Sequence, residues 1–519
     1  LSNNSDEDFM KKFALSIAAF IAAAPLVFAS GAAFASTTYA PALVKQFNTE
    51  NDYSFSVEYI VPVNDSVAVV VLDNGDLWRT DGTPAGTTAL AARAASDGLD
   101  DWLFDQYSWS NRAVADGAGT LYFWGNEVGV NEWNVWTYDG TSFEQLTTVG
   151  FTHLSSLYWL NNEIYAWGKD TNSSVLWGSL YQIDPSTGAY FEIAGGNNWD
   201  EEYQDNSSQV SFTNGRIIFM NDVANNGDND LVSWNPASPG TPVVSLNDAA
   251  NAADDFAAWD SRGVFGGEVY FGGHHDTLGQ ELWATDGTVA GTRFVKDINT
   301  GSGDSEPGTI DGMWFTEFAG ELYFAAGDGD DWVLYKTDGT TEGTVRAVDG
   351  LRGPGNCIEA PGLVVGESLY TNFSCDEFYI LDGTTATRLT DDSGGLCWDS
   401  CVRPVNFDSR VFFVYHDGTN NSVWVTDGTT AGTSEVTNFA DDGALGNQDF
   451  DLVRVGSHLM FGVRDETVDG GTGEMALYSI EASGLADTGT NVDGLAVAAL
   501  VAAVAGAGVY AVRRRRAVV

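Results

Sequence analysis

The sequence predicts an all-β protein, a single large β-propeller of eight or nine four-stranded blades followed by a C-terminal transmembrane helix. Three observations predict it. A Leu-Trp or Leu-Tyr hairpin returns along nearly the whole chain, an aliphatic-aromatic strand precedes each return, and the N-terminus supplies a strand that the last repeat lacks. Strands at this spacing, with no helical period between them, indicate a sandwich, barrel or propeller, and a four-stranded unit of about 40–50 residues is one propeller blade.

Residues 1–35 read as an upstream segment and a signal peptide. Met10-Lys11-Lys12 precedes the apolar run Phe13 to Ala24, and Ala33-Phe34-Ala35 places small residues where a signal peptidase reads, so cleavage is expected before Ser36. Composition agrees with export. The chain has 23 basic and 73 acidic residues, a formal charge of −50. Only Lys45, Lys169, Lys296 and Lys336 remain as lysines once the two ends are removed. Such a surface repels nucleic acid and anionic lipid, and hydrated carboxylates suit a salty milieu. Apolar residues at 44% and aromatics at 13% are too many for a disordered acidic chain.

Residues 36–480 carry the repeat. Its clearest copy is Glu281-Leu282-Trp283-Ala284-Thr285-Asp286-Gly287-Thr288, in which Asp286-Gly287 supplies the reversal between two extended segments. The repeat aromatics are Trp78, Trp136, Tyr181, Trp234, Trp283, Tyr335, Tyr379, Trp424 and Tyr478. Trp78 and Tyr478, 400 positions apart, enclose eight intervals averaging 50 residues, the mark of a repeat architecture. Ahead of each copy lies a turn residue, an aliphatic-aromatic strand and an acidic residue, as in Gly267-Glu268-Val269-Tyr270-Phe271 before Asp276 and Gly320-Glu321-Leu322-Tyr323-Phe324 before Asp328. Asp170, Asp222 and Asp417 follow the same rule, and turn capping is their expected job. A blade has two apolar faces that only neighbours around a ring can cover, so the third-strand aromatics are expected to pack blade on blade.

The last repeat ends at Leu477-Tyr478 without a fourth strand. Leu43-Val44-Lys45-Gln46-Phe47-Asn48 matches Phe294-Val295-Lys296-Asp297-Ile298-Asn299 in character, so the N-terminal strand is expected to complete the final blade. Residues 481–493 form a linker. Nineteen apolar residues, 494–512, then span about 28 Å as a helix, and Arg513 to Arg516 open a basic cytoplasmic tail at 513–519.

The motif Glu281-Leu282-Trp283 followed by Asp286-Gly287-Thr288 resembles the ELWxxDGT repeat of bacterial secreted and surface proteins, strongly at Trp78, Trp283, Tyr335 and Trp424 and weakly at Trp234 and Tyr478. That resemblance implies architecture and no catalytic residues. Leu485-Ala486-Asp487-Thr488-Gly489 resembles the LAxTG form of the LPxTG sortase motif, with Ala486 in place of Pro. By that resemblance a sortase cuts after Thr488 and joins the protein to peptidoglycan of a Gram-positive-type wall; the alternative is a retained membrane anchor.

Four cysteines in an exported chain predict disulfides, Cys357 with Cys375 across a hairpin and Cys397 with Cys401. His274-His275-Asp276 falls at a turn that is polar in other blades, so a polar loop is expected there, not a metal centre. Asp228, Asp230, Asp328 and Asp330 resemble fragments of calcium loops without the closing Glu, which leaves calcium as the only cofactor candidate. The expected function is a monomeric, non-enzymatic adhesion module for an extracellular glycan or protein. The alternatives are a polysaccharide hydrolase or lyase using channel carboxylates, where a retaining glycosidase needs two about 5–5.5 Å apart, and a coat with no specific ligand.

Overall fold

The computed structural model describes residues 39–47, 57–72, 76–91, 113–126, 133–148, 150–152, 156–171, 179–194, 210–221, 230–246, 262–275, 277–308, 315–329, 332–348, 362–373, 377–383, 385–390, 404–416, 421–436, 452–465 and 474–482. The expected signal peptide, sorting motif, transmembrane segment and basic tail, and Cys357, Cys375, Cys397 and Cys401, lie outside these residues. Among the described residues no helix is long and apolar enough to cross a membrane.

Among the described residues, 37 strands pair antiparallel and fall into nine four-stranded units, with one further strand between units two and three. Units one to eight occupy residues 57–91, 113–145, 157–194, 211–245, 263–296, 316–346, 363–388 and 405–435. Unit nine takes Val453–Val455, His458–Asp465 and Glu474–Glu481 from the end of the described chain. Its fourth strand is Ala42–Gln46, with Leu43 opposite Tyr478 and Gln46 opposite Ala476. The expected completion of the last sheet by the N-terminal strand is present. One strand lies outside the expected four-stranded pattern. Phe151–Thr152 pairs with Trp133 of unit two and with Lys169 and Asp170 of unit three, fusing those units into a nine-stranded sheet.

Within a unit the strands follow each other by short reversals. In units three, four, five, six and eight the first is a two-residue turn with positive φ at both residues, as at Asn161 (53°) and Asn162 (61°), the backbone twist that suits a tight hairpin. The reversal between third and fourth strands is longer than a simple Asp-Gly hairpin. In unit five the Asp286 carboxylate accepts the Thr288 N–H at 2.9 Å and the Thr288 hydroxyl at 2.7 Å. Thr288 Oγ1 accepts the Gly291 N–H at 3.0 Å, and the Thr292 hydroxyl donates to Thr288 O at 2.8 Å. Thr285 and Thr292, both buried, close the turn hydroxyl to hydroxyl at 2.7 Å. The same bonds recur around Asp81, Asp338 and Asp427, so the working motif is Thr-Asp-Gly-Thr-x-x-Gly-Thr. A methyl group at Gly291 would overlap the Asp286 carboxylate, which explains the second glycine.

Packing between units follows the period of two. Trp283 sits in the apolar cluster against unit four, while Leu282 and Ala284 on the opposite face sit in the cluster against unit six. Trp136, Tyr181, Trp234, Tyr335 and Tyr379 likewise occupy the cluster shared with the preceding unit, and Trp424 packs against it. For unit one the preceding unit is unit nine. Trp78 packs on a cluster that joins Val57, Ile60 and Val70 to Val44, Phe47, Met460 and Leu477, with Phe47 edge-on at 5.3 Å and Lys45 Nζ 4.7 Å above the indole. Polar contacts repeat this order. The Gly287 carbonyl accepts Ser233 Oγ of unit four at 2.7 Å, and the Gly82 carbonyl accepts Ser479 Oγ of unit nine at 3.2 Å. Units eight and nine touch through their first strands, completing a cyclic order of contacts.

Two outcomes test this account. Phe47→Ala is expected to cost roughly 3–5 kcal/mol, read as a lower urea midpoint of the whole protein; an unchanged midpoint would mean that the N-terminal segment stands outside the cooperative core. Gly291→Ala is expected to cost about 1–3 kcal/mol through the displaced Asp286 carboxylate, whereas a stabilised variant would contradict the turn network.

Candidate functional site

The strand order gives each unit two unlike ends. One end holds the first-to-second and third-to-fourth reversals, and the third-to-fourth reversals of units one, five, six and eight lie against the preceding unit. Gly287 backs onto Arg216 of unit four, and Gly82 onto His458 of unit nine. Hydrogen bonds from Thr340 hold the Asp338 carboxyl below the usual range, so this end keeps its charge. The other end carries the second-to-third connections and the crossings between units, and most of these lie outside the described residues.

The crossing from unit five to unit six is described and shows what fixes such a loop. Glu281, fully buried, accepts the Ile298 N–H at 2.6 Å, the Ser305 hydroxyl at 2.6 Å and the Asn299 N–H at 3.3 Å. Asp304 accepts the Gln280 N–H at 2.7 Å, and Asn299 Nδ2 donates to Asp304 O at 3.0 Å. Burial pushes the Glu281 carboxyl up to about 7; the three donors act the other way, and Asp297 nearby adds to the rise. Its chemistry is that of a loop clamp. The position was visible in the sequence as the first letter of the repeat, but its partners twenty residues downstream were not.

The first strands touch from unit to unit in most of the chain. In each unit one first-strand residue stands opposite the second-strand residue that lies two places before the partner of the repeat-aromatic position. These are Pro62, Ala115, Trp159, Phe212 and Val264 in units one to five, opposite Ala68, Leu121, Ile164, Ile217 and Val269. Glu317, Val364, Asn406 and Arg454 follow in units six to nine, opposite Leu322, Leu369, Val411 and Leu459. All nine partners are buried, whereas the nine first-strand residues are half-buried or exposed, with Val264 47% and Val364 40% accessible. First strands of units nine, one, two and three touch in turn. Between units one and three lies an open apolar depression of about 520 Å³ lined by Val61, Pro62, Ala113 to Ala115 and Leu157 to Leu160. Trp159 stacks on Tyr122 of unit two at 5.4 Å with the rings 9° apart. Burial raises the Tyr158 phenol, opposed by Ser156 and by the guanidinium of Arg262 from unit five.

The predicted site residues divide as follows. Eight of the nine repeat aromatics lie in or against the cluster shared with the preceding unit. Half-buried Tyr478 stacks on Phe461 of its own unit at 6.4 Å, and Trp234 is out of register with the rest. Trp283 stands opposite Phe271, whereas in unit four Val232 takes that place opposite Phe219 and Trp234 stands opposite Ile217, where unit five has Thr285. The acidic residues after the second strands bind fourth-strand side chains: Asp170 accepts the Tyr190 hydroxyl at 2.6 Å, and Asp328 pairs with Arg346. Asp230 lies in a strand opposite Asn221. Asp228 and Asp330 lie outside the described residues, as do Asp222, Asp276 and Asp417. Among the described residues no three His, Cys, Asp or Glu side chains converge as metal ligands. His274 is exposed, and His275 accepts the Thr277 N–H at 3.2 Å and packs on Phe294 at 5.4 Å.

No family model and no curated protein matches the chain. It is similar to the computationally designed protein Ika8 at 13% identity, over 74% of this chain and 99% of that one, with a TM-score of 0.41. It is also similar to BamB from Moraxella catarrhalis (11%, 76% and 98%, 0.39) and to the β-propeller domain of the Trilobed protease from Pyrococcus furiosus (10%, 75% and 100%, 0.33). At these scores the architecture rests on the sheet contacts above.

Glu281 binds its proton more tightly in the folded chain than the ordinary value of 4.5 allows. Its contribution is therefore complete below about pH 4.5 and is lost as pH rises to about 7, by at most roughly 3 kcal/mol. The difference in thermal midpoint between the wild type and Glu281→Gln is expected to shift in favour of the variant from pH 4.5 to 7.5. Parallel curves would show that burial does not govern this carboxyl.

Proposed function

We propose that the nine units form one closed β-propeller, displayed outside the cell on a wall anchor, that serves as a non-enzymatic binding module for an extracellular glycan or protein. One observation carries the reading: the polar residues of the repeat whose contacts are described are taken up in fixing turns and a crossing. Asp81, Asp286, Asp338 and Asp427 bind their own turns, and Glu281 clamps a crossing. The repeat therefore acts as a scaffold, and ligand contacts fall to residues that differ between units. Export and anchoring are supported by the charged-then-apolar N-terminus, the Leu485 to Gly489 motif, the apolar segment and the four arginines. The acidic excess favours a saline exterior and disfavours polyanionic partners.

An array of polysaccharides and extracellular matrix proteins tests the binding reading. Retention without turnover is expected; new reducing ends would replace it with the hydrolase or lyase, and retention of nothing would favour a coat. For the anchor, Thr488→Ala is expected to move the protein from the wall to the membrane or medium, and continued wall attachment would remove the sortase reading.

A further inference from the structure

The crossing between units five and six is held from both sides at one residue. The Ser305 N–H donates to Gln280 O of unit five at 2.9 Å, and Ser305 O accepts the Gly327 N–H of unit six at 2.8 Å. The Ser305 hydroxyl turns to the Glu281 carboxylate at 2.6 Å. Asn299 Oδ1 lies so close to Gly329 that a methyl group there would overlap it, so the crossing also abuts the second-to-third connection of unit six. Glu281 is fully buried, yet its three donors are neutral, and among the described residues no basic side chain forms an ion pair with it. A buried carboxylate without a cation is unfavourable. Acids face it instead. Asp297 on the crossing works against the Glu281 charge, and its Oδ1 is buried without a hydrogen-bond donor among the described residues. Asp304 and Glu306 lie further along the crossing. Tyr335 faces it from unit six, its phenol raised by burial and then by the Glu281 charge. Lys296 stands opposite Leu282, and exposed His274 lies beside Gly273, the strand partner of Glu281.

We propose that this crossing is a proton-operated latch: protonation of Glu281 closes it on units five and six, and loss of that proton loosens it. Without the proton, two like charges, Glu281 and Asp297, share a buried place with no cation among the described residues. The strain is relieved when the crossing parts and admits water. Glu281 holds its proton up to about pH 7 in the folded chain, against an ordinary value of 4.5. The latch is therefore fully closed below about pH 4.5 and opens as pH rises through about 7. A carboxylate paired with a cation behaves in the opposite sense, since its contribution is lost in acid. Ser305 ties unit five to unit six and Asn299 abuts Gly329, so opening frees the crossing and the unit-six connection together. Both lie at the loop-bearing end. The strands of the two sheets keep their own pairing, so the change stays local.

Amide hydrogen exchange of the full chain tests the latch, followed by mass spectrometry from about pH 5 to about pH 8 and corrected for the intrinsic pH dependence of exchange. Nothing in the latch depends on what the protein binds, so no ligand is needed. In the wild type, protection of residues 297–308 and 327–329 is expected to fall about tenfold or more across that range. Protection of Val269 to Gly273, on the second strand of unit five, is expected to stay unchanged. In Glu281→Gln the fall is expected to disappear. Asp297 is half-buried, so Asp297→Asn still reports if Glu281→Gln fails to fold. With the like charge gone, its transition is expected to move to lower pH. Equal protection at all pH values in the wild type would overturn the latch. So would a fall that persists in Glu281→Gln, or a transition that stays in place in Asp297→Asn.

Discussion

Each sheet is greasy on both faces, and that constraint orders everything else. In unit five, Trp283 points one way and Leu282 and Ala284 the other, so the sheet needs a neighbour on each side. Units two to eight find both neighbours along the chain. Units one and nine have each only one, and the sequence solves this by letting Val44, Phe47 and Trp78 close the gap between them. A buried aromatic removes about 150–250 Å² from water, a few kcal/mol at roughly 25 cal/mol per Å². Eight such seams among the described residues far exceed what any one hairpin could contribute by itself, so the units stand or fall together.

The turn chemistry follows from the same packing. The third strand must reverse beside a neighbouring unit, where backbone N–H groups lose access to water and need acceptors inside the protein. Asp286 and Thr288 supply them locally, and the Gly287 carbonyl turns outward to take the Ser233 hydroxyl from the unit before. The reversal is a cap and a docking surface at once. That is why Gly287 (φ 86°) must be glycine on two grounds, its backbone angle and the approach of Arg216.

Much of this was legible in the sequence, because hydrophobic period and turn residues are local signals. The recurrence of Leu-Trp-x-x-Asp-Gly-Thr announced the third strand and its reversal, and the likeness of Leu43 to Asn48 with Phe294 to Asn299 announced the shared last sheet. What failed depended on register or on partners far along the chain. Trp234 looked like another repeat aromatic, yet it sits two residues beyond the common position, a displacement that leaves it on the same face and so escapes any reading of alternation. The bridging pair Phe151–Thr152 carries no pattern of its own, being a two-residue strand. Asp170 and Asp328 read as turn caps by position, but the fourth strand brings Tyr190 and Arg346 within reach.

The first-strand pattern was invisible for a more instructive reason. A short first strand carries too little alternation to be read alone, so only its pairing with the second strand shows which residue is which. Once paired, the contrast is sharp: Ala68, Leu121, Ile164, Ile217, Val269, Leu322, Leu369, Val411 and Leu459 are all aliphatic and all buried. The residues opposite them include Pro, Trp, Phe, Glu, Asn and Arg. Packing dictates the first set, which is why it hardly varies from unit to unit. It dictates the second only in part: Ala115, Trp159 and Phe212 pack against the clusters between units, whereas Val264, Glu317, Val364, Asn406 and Arg454 stand exposed and vary in chemistry. In a repeat protein the motif marks the residues committed to the scaffold, and chemistry directed at a ligand belongs where the units stop resembling one another.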